Sequence, residues 1–246
     1  MSGHHFLFVP GPSNVPAAVQ QAIHCPMEDH RNPTIPDLIQ PITQDLKKIL
    51  RTEKGKVVFF PSSGTGCWEA ALQSTLNIGD KVLGASFGQF SMLWLDMCKR
   101  LQFEPITMEE EWGTGANPES YHKHLSEDKN HEIKCVLVCQ NETATGVRSD
   151  VQAIRKVMDD LNHPALLFVD GVSSVASYEF EMDKWGVDAI VSGSQKGFML
   201  PAGLGILGMS EKAIDAMKQS NYPTCYFDVA DMMEKLDGGY LPYTPP

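Results

Sequence analysis

Basic residues are scarce in this chain. Lys and Arg number 20 against 31 Asp and Glu among 246 residues, a formal net charge of -11. A phosphate backbone needs a basic surface, so DNA and RNA are excluded as partners. Any small anion must then be attracted locally, by one or two placed cations or a helix end. Long apolar runs are also missing, and none reaches the length of a membrane span. The opening MSGHHFLFVPGPSN has no basic region followed by an apolar core, so no secretory leader is expected. Internal repeats and low-complexity tracts are absent.

Paired cysteines are lacking too. Cys25, Cys67, Cys98, Cys135, Cys139 and Cys225 are scattered, and no two form a CxxC. They are expected to be buried, reduced thiols of an intracellular protein, neither disulfides nor zinc ligands. His122, His124 and His131 fall in a polar segment without ligand spacing, and no metal is expected.

What the chain does have is a core. It is 42 % hydrophobic, too apolar for disorder. Short, nearly all-apolar runs at 56–60, 81–85, 135–139, 165–169, 189–192 and 204–209 read as strands covered on both faces. Helical patterns at 67–76, 91–101, 118–125, 151–161 and 210–220 lie between them. Asp150 and Ser210 are natural N-caps for the last two. This rhythm predicts an α/β fold: a doubly wound, mainly parallel sheet with helices on both faces. The proline-rich first forty residues are expected to form an extended arm, with 41–246 as the large domain.

Ligands of such sheets collect at the carboxyl ends of the strands. After VVFF comes PSSGTG, with Ser63, Gly64 and Thr65 opening a helix. That is either an anion cradle or an ordinary tight turn. The GxGxxG fingerprint fails because its third glycine position is Glu69, and no GK[ST] follows for a P-loop. Asp170 ends the run ALLFVD, and Gln195-Lys196 follows DAIVSGS. A lysine at a pocket's edge is desolvated, and its amine becomes nucleophilic as its pKa falls. An anion cradle, a carboxylate after one strand and a lysine after the next are together what pyridoxal 5′-phosphate (PLP) requires.

The stretches LFVPGPSNVP, EDHRNP, FFPSSGTGCWEAAL, FGQFSMLW, EEWGTGANPE, NETATGV, HPALLFVDGVSS, GSQKG with LPAGLG, and PYTPP closely resemble the class V aminotransferases of the fold type I PLP group. They occur in the family's order along the whole chain. The resemblance implies that Lys196 is the Schiff-base lysine, that Gln195, Ser63, Gly64 and Thr65 hold the phosphate, and that Asp170 partners the pyridine nitrogen. It also implies that Val172 and Phe87 cover the two ring faces and that Thr143 lies near the 3′ oxygen. Thr244 would reach the phosphate of a neighbouring subunit in a homodimer. Gly11, His30 and Arg31 would serve the substrate.

The activity implied is transfer of the amino group of L-serine or L-alanine to glyoxylate, in the cytoplasm, or in the peroxisome of a eukaryote. The family continues past PYTPP into a small C-terminal domain with a carboxylate-gripping arginine, which this chain is expected to lack. Two rival expectations are a PLP-binding module without turnover and a cysteine desulfurase-like enzyme. The latter usually carries His where this chain has Gln195.

Overall fold

The computed structural model describes residues 6–244. Their main sheet has seven strands, in the order β1 (Lys56–Ser62), β9 (Gly203–Met209), β8 (Ala189–Gly193), β7 (Leu166–Asp170), β4 (Ile133–Cys139), β2 (Lys81–Ser86) and β3 (Glu104–Glu109). Neighbouring pairs from β8 to β3 are parallel. β9 runs antiparallel to both β8 and β1, so β1 points the same way as the parallel set. A small ribbon pairs β5 (Asn141–Glu142) with β6 (Val147–Arg148).

The helices are α1 (Ala17–Ile23), α2 (Ile35–Leu50), α3 (Gly64–Thr75), α4 (Gln89–Arg100), α5 (Pro118–Glu127), α6 (Val151–Asp160), α7 (Glu211–Met217) and α8 (Val229–Asp237). Every residue of β7 is buried, as a central parallel strand with helices on both faces requires. Asp150 and Ser210 cap their helices as expected, accepting from the N–H of Ala153 and Ala213. Leu50, Phe60, Leu72, Trp94, Tyr121, Ile154 and Phe168 are fully enclosed, each worth roughly 1.5–3 kcal/mol of burial.

Several expectations need correcting. The first forty residues are not simply extended: α1 lies among them and α2 begins at Ile35. Pro36 sits in the first turn of α2, where its missing N–H costs nothing, while Pro41 lies inside the helix. The burial of Ile39, Leu46 and Leu50 on one face holds α2 in place. β3 is not among the expected strands, because its sequence EPITME is half polar and holds a proline; it is an edge strand, where both are tolerated. Cys25 and Cys225 are exposed, whereas the other four cysteines are buried as expected; all six are free thiols.

Candidate active site

With β1, β2, β4, β7 and β8 co-directional, their carboxyl ends deliver residues to a single edge of the sheet. At the end of β1, Ser63 is the extended N-cap of the twelve-residue α3, and its carbonyl accepts from the N–H of Gly66 and Cys67. The opening N–H groups of a helix carry partial positive charge and suit an anion. Gly64 is required by packing: a Cβ there would lie 2.3 Å from Val172 Cγ2.

Asp170 ends β7 and is buried. Its Oδ1 accepts from the Val172 N–H at 2.8 Å, and its Oδ2 faces the Cys139 thiol at 3.7 Å. Burial outweighs these partners and raises its pKa from 3.8 to about 7. Such a carboxyl gains from a cationic hydrogen-bond donor brought into its cavity.

Gln195 and Lys196 follow β8. Burial pushes the Lys196 amine below its ordinary value, with Asp170 acting the other way. Its Nζ donates to the Pro10 carbonyl at 2.7 Å. Thr143 comes from the turn after β5 and donates to Ser173 Oγ at 3.0 Å, tying that turn to the loop after β7.

These parts enclose a cavity of about 240 Å³ lined by Ser63, Gly64, Thr65, Trp68, Phe90, Thr143, Asp170, Val172, Gln195 and Lys196. Two larger grooves, of about 440 and 450 Å³, open at the amino edge of the strands. Their charges are largely spent on each other, as in Arg155–Asp159 and Lys212–Asp188. Two residues that line the smaller cavity carry buried polar atoms without partners, Gln195 Oε1 and Trp68 Nε1. Buried polar groups without partners are uncommon and point to a missing ligand or water.

Eight residues expected at the site line this cavity together. Gly11 lies against Lys196 from the other side: a Cβ on it would stand 2.4 Å from Nζ. Phe87 does not join them. It is fully buried in the core, its N–H donating to Ser91 Oγ. The rings that do line the cavity are Phe90, three residues further on, and Trp68. Trp68 is nearly buried and stacks on Trp94 at 5.4 Å. His30 and Arg31 lie in the turn before α2, and Thr244 is exposed; none of the three is among the lining residues.

Sequence reasoning misses Glu142. It is fully buried, and its carboxylate accepts from the N–H groups of Phe90, Ser91 and Ala144. It thereby caps α4 and fixes Phe90 at the cavity wall. No periodicity marks such a residue. Its only signal is an acidic side chain three residues past an apolar strand.

Chemically, the cavity offers an anion seat at the start of α3, a carboxyl at Asp170 for a protonated nitrogen, and an amine at Lys196 for a carbonyl or an acidic carbon. Comparison with known proteins points to one family. A profile of the family aminotransferase class-V matches residues 5–237. Serine–glyoxylate aminotransferase of Hyphomicrobium methylovorum is 56% identical over 241 residues, 97% of this chain and 60% of that protein. L-aspartate–glyoxylate aminotransferase of Paracoccus denitrificans is 47% identical over 246 residues, 100% of this chain and 62% of that protein. The crystal structure of a subgroup IV aspartate aminotransferase from Thermus thermophilus superimposes with a TM-score of 0.90 at 27% identity, covering 98% of this chain and 66% of that one. The chain spans about 60 % of the length of the curated relatives it matches.

Proposed function

The chain belongs to the class V aminotransferases, and we propose that it acts with PLP to move the amino group of L-serine or L-alanine to glyoxylate. The observation that carries this reading is one enclosed cavity shared by Lys196, the raised carboxyl of Asp170 and the start of α3.

The residues present fit the cofactor. The α3 opening at Ser63, Gly64 and Thr65, with the amide N–H groups of Gln195, would hold the phosphate. Asp170 would accept the proton-bearing ring nitrogen; that partner's positive charge returns the carboxyl to its ionised form. Val172 would cover one ring face, with Trp68 and Phe90 as the aromatic surfaces available in place of Phe87. Thr143, held by Ser173, would reach the 3′ oxygen. When bound, PLP supplies an electron-poor ring that takes up the charge left at the substrate Cα.

The protein's own part is to bind, orient and move a proton. Lys196, depressed by burial, reaches the neutral amine form nearer neutral pH than an exposed lysine does. Its Nζ then takes the Cα proton and later delivers it. The amino group leaves the donor in one half of the cycle and reaches glyoxylate in the other. Arg31, His30 and Thr244 would act across a homodimer. The compartment this reading carries is the cytoplasm, or the peroxisome in a eukaryote. No helix among the described residues is long and apolar enough to cross a membrane.

The desulfurase alternative asks for a reactive thiol near the cofactor. Burial instead raises Cys67, Cys135 and Cys139 well above the ordinary thiol value, and Cys98 to about 12. The exposed Cys25 and Cys225 do not line the cavity. A second donor does have support, because the P. denitrificans relative is named for L-aspartate.

The test is twofold. Borohydride should fix PLP to the protein in the wild type and fail to do so in Lys196→Ala; a fixed cofactor in the variant overturns the lysine assignment. Glycine formation from glyoxylate is then compared with serine, alanine and aspartate as donors. Aspartate outrunning both of the others overturns the donor assignment.

A further inference from the structure

The N-terminal segment lies directly over Lys196. Pro10 presents its carbonyl to Nζ at 2.7 Å. Gly11 has a φ of +125°, and a Cβ on it would fall 2.4 Å from Nζ and 2.6 Å from Cδ, so the arm's backbone rests on the lysine stem. Ser13 fastens the arm to the loop that carries the lysine. Its N–H donates to the Gln195 carbonyl at 2.9 Å. Its hydroxyl lies 3.2 Å from the carbonyl of Gln195 and 3.1 Å from that of Lys196. Asn14 then staples the arm to itself through both backbone groups of Leu7. Beyond the arm a second, open cavity of about 430 Å³ borders the same lysine, with Pro10, Gly11, Ser13, Ser177 and Met199 in its lining. Lys196 thus stands between two cavities.

We propose that arm residues 10–13 are a positioning element for the Lys196 amine, with the Pro10 carbonyl as its dock. An amine on a flexible four-carbon stem samples many rotamers. A fixed acceptor takes one N–H and leaves the nitrogen lone pair to be directed elsewhere. The dock operates whenever Lys196 is not bonded to a cofactor, and its importance for turnover rests on the aminotransferase reading above. Asp170 is the charged group that faces Lys196. Pro10 adds an uncharged acceptor, which favours the ammonium form, so loss of the dock lowers the amine's titration midpoint.

The experiment uses the full chain without cofactor. Trace acetic anhydride is applied across a pH series, and acetylation of Lys196 is read by peptide mass spectrometry against the exposed Lys99. Hydrogen bonds to charged groups contribute about 1.5–3 kcal/mol, roughly one pH unit or more when lost entirely. Ser13→Ala, which loosens the clasp, is expected to lower the Lys196 midpoint by about half a unit. Ser13→Thr keeps the hydroxyl and should restore the wild-type midpoint. Gly11→Ala should lower it further by displacing the amine. Thermal unfolding of each variant is measured in parallel. If Ser13→Ala lowers the melting temperature while the Lys196 midpoint stays at the wild-type value, the arm is only a cover and the proposal is overturned. The Ser13 pair carries this test even where Gly11→Ala does not fold. Borohydride fixing of PLP reports separately on the aminotransferase reading, so the two failures are distinguishable.

Discussion

Replacing Asp170 by Asn in the cofactor-free protein should stabilise it at alkaline pH. Burial raises the carboxyl from 3.8 to about 7. At about 1.36 kcal/mol per pKa unit, that rise sets a ceiling of about 4 kcal/mol on the cost of ionising Asp170 in the fold. The sign follows from proton counts. Between these two values the folded chain holds a proton that the unfolded chain has lost, so stability falls as pH rises through pH 4 to 7. Asn carries no such proton, and the variant should lack this fall. Urea unfolding followed by tryptophan fluorescence at pH 4, 6 and 8 gives the difference between wild type and variant at each pH. Subtraction removes the pH dependence of groups remote from Asp170. The difference is expected to grow with pH in favour of Asn, by up to about 4 kcal/mol from pH 4 to pH 8. The reasoning is refuted if the two proteins keep a constant difference across the series. With PLP the ranking should reverse, because the amide of the Asp170→Asn variant offers no negative charge to a protonated ring nitrogen.

Lys196→Ala should reduce amino transfer by about a thousandfold or more in steady-state assays while leaving non-covalent retention of PLP detectable by equilibrium dialysis. Gly64→Ala places a methyl 2.3 Å from Val172 Cγ2; it should cost about 1–3 kcal/mol in urea unfolding and weaken PLP binding in a fluorescence titration. Glu142→Gln removes the charge shared by two N–H groups of α4 and the N–H of Ala144, and a loss of about 1–3 kcal/mol is expected by the same unfolding assay.

The sheet was legible in the sequence because six of its seven strands are short apolar runs, which only double coverage explains. β3 was not, because its residues stay mostly exposed or half-buried and read as polar, whereas β1 at the other edge is covered by α2 and α8. α2 was hidden by Pro36 and Pro41, which count against a helix in any local tally; tertiary burial of Leu46 and Leu50 overrides them. At the cavity, Lys196, Asp170 and the α3 turn were legible as candidates because each stands at or just past the end of an apolar strand. Phe87 illustrates the limit. A position adjacent to a strand end does not say which way a ring turns, and the helix that opens at Gln89 brings Phe90 to the cavity while Phe87 packs inward.

Burial alone does not mark a functional carboxylate here; the inventory of partners does. Asp188, Glu142 and Asp170 are all buried. Asp188 accepts from the Leu167 N–H and the Ser210 hydroxyl, and lies beside Lys212. Glu142 accepts from three backbone N–H groups. Both have the complement of donors that a buried carboxylate needs, and both hold elements together. Asp170 has one N–H and a thiol, a weak donor, at 3.7 Å. It also faces a cavity whose Gln195 and Trp68 polar atoms lack partners. Evolution toward stability alone would fill that cavity or supply Asp170 with donors. The fold instead leaves Asp170 short of donors beside a 240 Å³ space at the start of α3, and a ligand bearing a protonated ring nitrogen and an anionic group supplies what the carboxyl and the start of α3 lack.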